Sequence, residues 1–135
     1  MTADKVVWID RGWQPVAIGF CPSEKAWRRA MRLQNVTSDW PDVPNSGGHT
    51  ELLKNIETGV GLILVVISGA SERDPLEVIM TIVHEAVHVW QFLCQHIGEH
   101  APGIEMEAYA IEEISRGLVD AYCRTQGKDK NWLAN

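Results

Sequence analysis

The chain has 135 residues, of which 45% are hydrophobic and 22% charged, and its formal net charge is -6. A chain of this length has room for one core, so we predict a single domain over residues 1–135. The negative charge disfavours nucleic acid as the main partner, because phosphate binding requires clustered Lys and Arg. The longest apolar run, residues 60–67, is less than half of a membrane span, so no membrane partner is expected either.

The cysteines and the N-terminal residues indicate the compartment. Cys21, Cys94 and Cys123 are widely spaced and form no CxxC pair, so a disulfide framework is not expected and a reducing compartment is favoured. Residues 1–10 contain an early Asp4 and no long apolar core, which is not the pattern of a signal peptide. We therefore expect a cytoplasmic protein.

The first half of the chain contains several β-prone runs and one helix signal. The runs KVVWID, QPVAIGF, HTELLKN and GVGLILVVIS predict short strands. The last run is so apolar that it is expected to be a central strand, covered on at least one face. Between the first two runs and the last two, PSEKAWRRAMRL predicts a helix capped by Ser23. The loop TSDWPDVPNSGG follows this helix.

Two long helices are predicted in the second half. Asp74 stands at an N-cap position, Pro75 at the first helical position and Glu77 where a capping box requires it. This helix is predicted to run to about His96, to stop near Gly98 and, being apolar almost all round, to be buried. A second helix is predicted over residues 103–126, followed by a frayed tail over 128–135. The expected fold is α+β, with a small, largely antiparallel sheet packed on the 75–96 helix and the second helix closing the site.

The sequence HEAVH at residues 84–88 places two histidines on one face of the predicted 75–96 helix. Because residues four apart project from the same face, the imidazoles of His84 and His88 can converge on one metal ion at tetrahedral angles. Glu85 lies to one side, where its carboxylate can take a proton from a water that the metal activates. Polar side chains in so apolar a helix are costly unless they have partners. The motif predicts a Zn²⁺ site with His84 and His88 as ligands and Glu85 as the catalytic base.

In its uncharged setting this motif resembles the zincin metallopeptidases, over about residues 74–120. The metzincin branch is excluded, because Gln91 and Cys94 stand where that branch has a glycine and a third histidine. The gluzincin branch takes its third ligand from a glutamate on the next helix. The resemblance therefore implies a minimal gluzincin-like domain that uses Zn²⁺ to hydrolyse peptide bonds, with a narrow peptide or protein substrate.

Two glutamates in IEMEAYAIEEI compete for the third-ligand role. Glu105, followed three residues later by Ala108, matches the family pattern, whereas the helical wheel favours Glu107, which shares a face with apolar residues. We expect Glu105 to be the ligand, with Glu107 as the alternative. Where the family often has an aspartate four residues after the ligand, this chain has Tyr109, a candidate oxyanion donor and the second candidate catalytic residue.

A catalytically inactive zincin-like module that binds a partner protein is the alternative function. The small size of the chain and the missing aspartate leave room for it, whereas Glu85 favours an enzyme, since an inactive module has no need of a base. His49, His96 and His100 are weaker site candidates, for which an ordinary structural or surface role is the simpler interpretation. The same holds for Cys94, which is expected in the core.

Overall fold

The computed structural model describes residues 4–10, 12–44, 47–68, 73–129 and 131–134. These residues form a four-stranded sheet and three α-helices. The strands are β1 (Val7–Trp8), β2 (Ala17–Phe20), β3 (Gly48–Lys54) and β4 (Gly61–Ile67). The helices are α1 (Glu24–Gln34), α2 (Pro75–Ile97) and α3 (Ile104–Thr125), followed by a short 3-10 helix, Trp132–Ala134. The predicted small α+β fold is confirmed.

The sheet has the strand order β1-β2-β4-β3. β1 pairs with β2 and β3 pairs with β4 in the antiparallel sense, whereas β2 and β4 are parallel. Two of the three pairings are thus antiparallel, as expected of a largely antiparallel sheet. The parallel pairing is possible because α1 and β3 lie between β2 and β4 in the chain and supply the long crossover that parallel strands need.

β4 is the central strand of the sheet, and all seven of its residues are buried. Its side chains alternate between the two faces. Ile63, Val65 and Ile67 belong to the core cluster formed with α2 and α3, whereas Leu62 and Leu64 belong to the cluster formed with α1. The sheet is therefore covered on both faces, by α1 on one side and by α2 and α3 on the other.

The helix caps predicted from the sequence are present. The Ser23 hydroxyl accepts a hydrogen bond of 3.1 Å from the backbone N–H of Ala26 at the start of α1. The Asp74 carboxylate accepts one of 3.2 Å from the N–H of Leu76 at the start of α2. α2 ends at Gly98, whose φ of 75° is the left-handed conformation that glycine adopts most easily. The caps at Asp74 and Gly98 thus fix both ends of α2, the helix that carries HEAVH.

α2 has one buried face and one outer face. The buried face includes Ile82, Ala86 and Val89, each fully buried in the core. Near its start the outer face carries apolar side chains that remain in contact with solvent, Leu76 at 62% exposure and Met80 at 65%. Neither α2 nor any other helix in the described ranges has the length and apolar character needed to cross a bilayer.

The segment after α3 contacts the core. The ring of Trp132 lies 5.5 Å from that of Tyr122, measured between centroids, and Trp132 packs against the α2–α3 cluster. Part of the predicted tail therefore covers the end of the core.

Candidate metal centre

The HEAVH residues lie in the middle of α2, beside the edge strand β3. His84 is exposed and His88 is partly buried, whereas Glu85 is only 5% exposed. Consecutive helical residues are rotated by about 100°, so Glu85 turns toward the sheet while the two histidines remain on the outer face. The motif thus divides into an accessible histidine pair and a buried carboxylate next to it.

The two imidazoles converge through the same ring nitrogen. Nε2 of His84 lies 3.2 Å from Nε2 of His88, and the ring centroids are 4.8 Å apart with the planes at 78°. Two nitrogens bound to one tetrahedral zinc at about 2.0–2.1 Å would lie about 3.3–3.4 Å from each other. The observed separation fits two ligands of a single tetrahedral ion, and without an ion it is a hydrogen-bond distance between one protonated and one unprotonated Nε2.

Gln91 holds the ring of His88 in this orientation. Its amide oxygen Oε1 lies 2.9 Å from His88 Nδ1. An amide oxygen only accepts, so Nδ1 carries the proton and donates it, which places the lone pair of His88 on Nε2, the nitrogen next to His84. Gln91 was not predicted to be part of the site, although its spacing of three residues from His88 is the signal for a contact on one helix face.

Thr50 of β3 fixes the carboxylate of Glu85. The Thr50 hydroxyl donates a hydrogen bond of 2.8 Å to Oε1 of Glu85. The other oxygen, Oε2, lies 4.0 Å from Nε2 of His84. One carboxylate oxygen is therefore bound to the sheet, while the second is presented next to the imidazole nitrogens.

Gly48 makes room for Glu85 against the strand. A Cβ atom at position 48 would lie 2.8 Å from Cγ of Glu85, closer than real contacts allow, and 3.0 Å from Cδ1 of Ile67, which is tighter than most real contacts. The Glu85 side chain can pack this tightly on β3 only because residue 48 has no side chain. Neither Gly48 nor Thr50 was identified from the sequence as part of the site.

His49 faces the opposite side of the sheet. Because Gly48 and Thr50 point toward α2, the alternation along β3 directs His49 and Glu51 toward the α1 side. There Nε2 of His49 lies 2.8 Å from Oε1 of Glu51, and the Ser38 hydroxyl donates to Oε2 of the same carboxylate. The structure thus gives His49 a carboxylate partner away from the histidine pair.

The two glutamates expected to compete for the metal have different surroundings. Oε2 of Glu107 accepts a hydrogen bond of 2.9 Å from the indole Nε1 of Trp90. Trp90 follows His88 by two residues and is therefore rotated about 200° from it around α2. The carboxylate of Glu107 is thus held away from the histidine face, whereas Glu105, in the first turn of α3, is exposed.

The structure brings together His84, Glu85 and His88, but not the expected third ligand. Within the described ranges, no group of three or more His, Cys, Asp or Glu side chains is arranged so that it could hold a metal ion. Neither Glu105 nor Glu107 therefore completes a ligand set with the two histidines. The assignment of a third ligand stays a prediction.

The other site residues considered from the sequence have surroundings that do not include the histidine pair. Tyr109 is 64% exposed and lines a cavity that has none of the HEAVH residues in its wall. His96 packs against Gly61, where a Cβ atom would lie 3.1 Å from its Cε1, and His100 is exposed in the α2–α3 connection. Cys94 belongs to the core cluster, with 7% exposure.

Comparison with protein-family models, with curated proteins and with solved structures finds no match for this chain. The geometry around His84, Glu85 and His88 is therefore the basis for assigning a function to this chain.

Proposed function

We propose that this chain is a zinc-dependent peptidase of the gluzincin type. The observation that carries the proposal is the 3.2 Å separation of the two Nε2 atoms, next to a buried carboxylate. His84 and His88 would hold the ion through Nε2. Glu105 is proposed as the third ligand, because the Glu107 carboxylate is already bound to Trp90.

In the proposed hydrolysis, Glu85 transfers the proton and Thr50 positions the Glu85 carboxylate. Zn²⁺ bound there would supply Lewis-acid activation of a water molecule and of a substrate carbonyl. Glu85 accepts the proton of the attacking water on Oε2, the oxygen that faces His84, and later passes it to the leaving amine. Thr50 keeps the carboxylate turned toward the reacting atoms by occupying Oε1.

The edge of the sheet favours an extended peptide as substrate. β3 is the last strand in the order β1-β2-β4-β3, and it is the strand that contacts Glu85. In the described part of the chain β3 pairs with β4 alone, so its outer backbone groups are available to an added strand. A peptide bound along that edge would pass close to the HEAVH residues.

A zincin-like module that binds a partner without hydrolysing it is the second candidate. The observation in its favour is that, in the described ranges, no third side chain joins the histidine pair in a metal-binding arrangement. The burial of Glu85 and its bond to Thr50 favour the peptidase, because such an arrangement matters for a base and not for a binding surface.

The first test is metal content. Zinc should bind at one ion per chain after reconstitution and should be lost in His84→Ala and His88→Ala. His49→Ala serves as the matched control, because His49 pairs with Glu51 on the opposite side of the sheet. Elemental analysis after dialysis measures this. A wild-type protein that takes up no zinc would end the metal proposal.

The second test separates the enzyme from the module. Glu85→Gln can still accept the Thr50 hydrogen bond but cannot take a proton, so fold and zinc content should persist while hydrolysis falls by about two to four orders of magnitude. Wild type, Glu85→Gln and a control, the exposed Glu57→Gln, are each loaded with zinc and incubated with an extract of the native host. The new peptide N-termini are then compared by mass spectrometry. Identical fragments from wild type and Glu85→Gln would favour the binding module.

A further inference from the structure

Charged side chains of alternating sign follow one another along the outer face of α3. Spaced by four residues, they are Glu112, Arg116, Asp120 and Arg124, and all of them are exposed. Residues four apart form a continuous ridge on the surface of a helix. The last three line both of the grooves that flank α3, so this charge row lies on the ridge between the two grooves.

Ion pairs within α3 account for only half of the charge row. Nε of Arg124 lies 3.2 Å from Oδ2 of Asp120, and both side chains are more than 60% exposed, so the pair adds little to stability. Among the described residues, no ion pair involves Glu112 or Arg116. The pattern of the row is therefore not explained by the stability of the helix alone.

The order of the charges is complementary to itself. A two-fold axis level with Leu118 reverses the row, so each charge of one copy faces a charge of opposite sign in the other. Glu112 then lies opposite Arg124, and Arg116 opposite Asp120. With the axis level with position 116 or 120, like charges meet. Only the register centred on Leu118 gives all of the row's charges a partner of opposite sign.

Helix packing allows two such rows to meet. When two helices cross at about −50°, the ridges formed by residues four apart run alongside each other, and this is the commonest way in which helices pack in globular proteins. A second α3 can therefore lie across the first with the two charge rows side by side and antiparallel.

Apolar side chains flank the row in both grooves. Val83 of α2 is 41% exposed and lines the groove between α2 and α3 together with Ile79 and Val119. Met106 and Tyr109, at 48% and 64% exposure, line the groove on the other side of α3. A helix that crosses the row would cover part of these side chains and remove apolar surface from water. The apolar flanks thus supply attraction, and the charges determine register and orientation.

We propose that this chain forms a two-fold symmetric homodimer in which α3 packs against α3 of a second copy, in the register centred on Leu118. The partner is a second copy because the charge order on this face matches its own reverse. The dimer is independent of zinc and of hydrolysis, since the interface uses none of the HEAVH residues.

The first test is the oligomeric state of the full chain, measured by analytical ultracentrifugation over a series of protein concentrations. At low ionic strength the protein should show a monomer–dimer equilibrium, and added sodium chloride should weaken it, because salt screens the exposed charge pairs. A wild type that remains monomeric at about 1 mM would overturn the proposal. An association that salt leaves unchanged would contradict the role of the charge row.

Charge reversal tests the register. Because the axis repeats every contact, Arg116→Glu and Asp120→Arg each replace two attractive pairs by two repulsive ones. Each variant alone should associate at least about tenfold more weakly than wild type. Mixed in equal amounts, the two variants should form a heterodimer, since the new carboxylate of the first faces the new guanidinium of the second. The variant with both substitutions should associate with itself as wild type does.

Arg29→Glu is the matched control, because it makes the same change of charge at an exposed residue of α1, on the opposite side of the sheet. It should dimerise like wild type. Single variants that still dimerise, or a mixture that forms no heterodimer, would contradict this interface. Equal weakening by Arg29→Glu and Arg116→Glu would show an effect of net charge and would overturn the proposal. Circular dichroism of each variant reports whether it is folded.

Discussion

The hydroxyl of Thr50 donates a 2.8 Å hydrogen bond to Oε1 of Glu85, a residue 35 positions later in the chain. Both residues are buried, at 9% and 5% exposure, so this bond satisfies part of a carboxylate that has lost most of its water. It also fixes which oxygen of Glu85 faces the histidines. The proposed base is thus oriented by the sheet, whereas the two proposed metal ligands are positioned by the helix alone.

Replacing Thr50 should lower the free energy of unfolding, because the carboxylate oxygen Oε1 of Glu85 then lacks a hydrogen-bond donor. Thr50→Val keeps the shape of the side chain but removes the hydroxyl, and it should lower the free energy of unfolding by about 1–3 kcal/mol. Thr50→Ser retains the donor and should lose less, about the value of one buried methyl group. Chemical denaturation measures both, with the exposed Thr37→Val as the control.

A double-mutant cycle assigns the Thr50 effect to Glu85. In a Glu85→Ala background the difference between Thr50→Ser and Thr50→Val should shrink, because the acceptor is gone. If Thr50→Val is as stable as Thr50→Ser in the wild-type background, the hydrogen bond contributes nothing to the fold.

Gly48→Ala should be destabilising because its Cβ has no room. The new methyl group would lie 2.8 Å from Glu85 Cγ, and overpacking of this kind costs about 1–3 kcal/mol. The neighbouring Gly47→Ala is the matched control, since its nearest contact, Val43 Cγ1 at 3.4 Å, is an ordinary one. Denaturation of the two variants gives the comparison, and equal stability would contradict the tight packing of Glu85 on β3.

The parts of the fold that depend on local patterns were predictable from the sequence. Asp74, Pro75 and Gly98 mark the ends of α2 through interactions within a few residues. The convergence of His84 and His88 follows from their spacing of four on one helix. The apolar run of β4 likewise indicates a central strand, whatever its neighbours are.

The contacts that position the base were not predictable, because they depend on how distant elements align. Nothing near Thr50 or Gly48 in the sequence indicates that β3 lies against Glu85; that follows from the β3–β4 register and the placement of α2. Glu107 is an intermediate case. The helical wheel placed its carboxylate on an apolar face, where it requires a polar partner, and the structure supplies one from another helix, the indole of Trp90.

The two α3 glutamates should behave differently toward zinc. Glu105→Gln should weaken zinc binding markedly, whereas Glu107→Gln should leave it nearly intact, because Glu107 is bound to Trp90 and a glutamine oxygen can still accept that bond. Competition with a calibrated zinc chelator measures both affinities. The reverse pattern would show that Glu107 leaves Trp90 to bind the metal. If neither substitution has an effect, the third ligand lies elsewhere, with His96, His100 and Glu112 next to be tested.

Burial of Cys21 should make stability fall at alkaline pH. Burial raises the pKa of its thiol from 9.0 to about 12 in the folded protein. Between these values the unfolded chain releases the thiol proton and the folded chain keeps it, so rising pH favours unfolding. With an unfolded pKa of 9.0, this linkage destabilises wild type by about 0.8 kcal/mol at pH 9.5 and by almost nothing at pH 7.5.

The measurement compares wild type with Cys21→Ala by chemical denaturation at pH 7.5 and 9.5. The cavity left by the substitution lowers stability equally at both pH values, so the change in the difference between the two proteins reports the Cys21 thiol alone. Cys94 and Cys123, whose pKa values burial also raises, are present in both proteins and cancel. The advantage of wild type over Cys21→Ala should therefore shrink by about 0.8 kcal/mol at the higher pH. An unchanged difference would mean that the thiol ionises as easily in the folded protein as in the unfolded chain, which its complete burial beneath α1 should prevent.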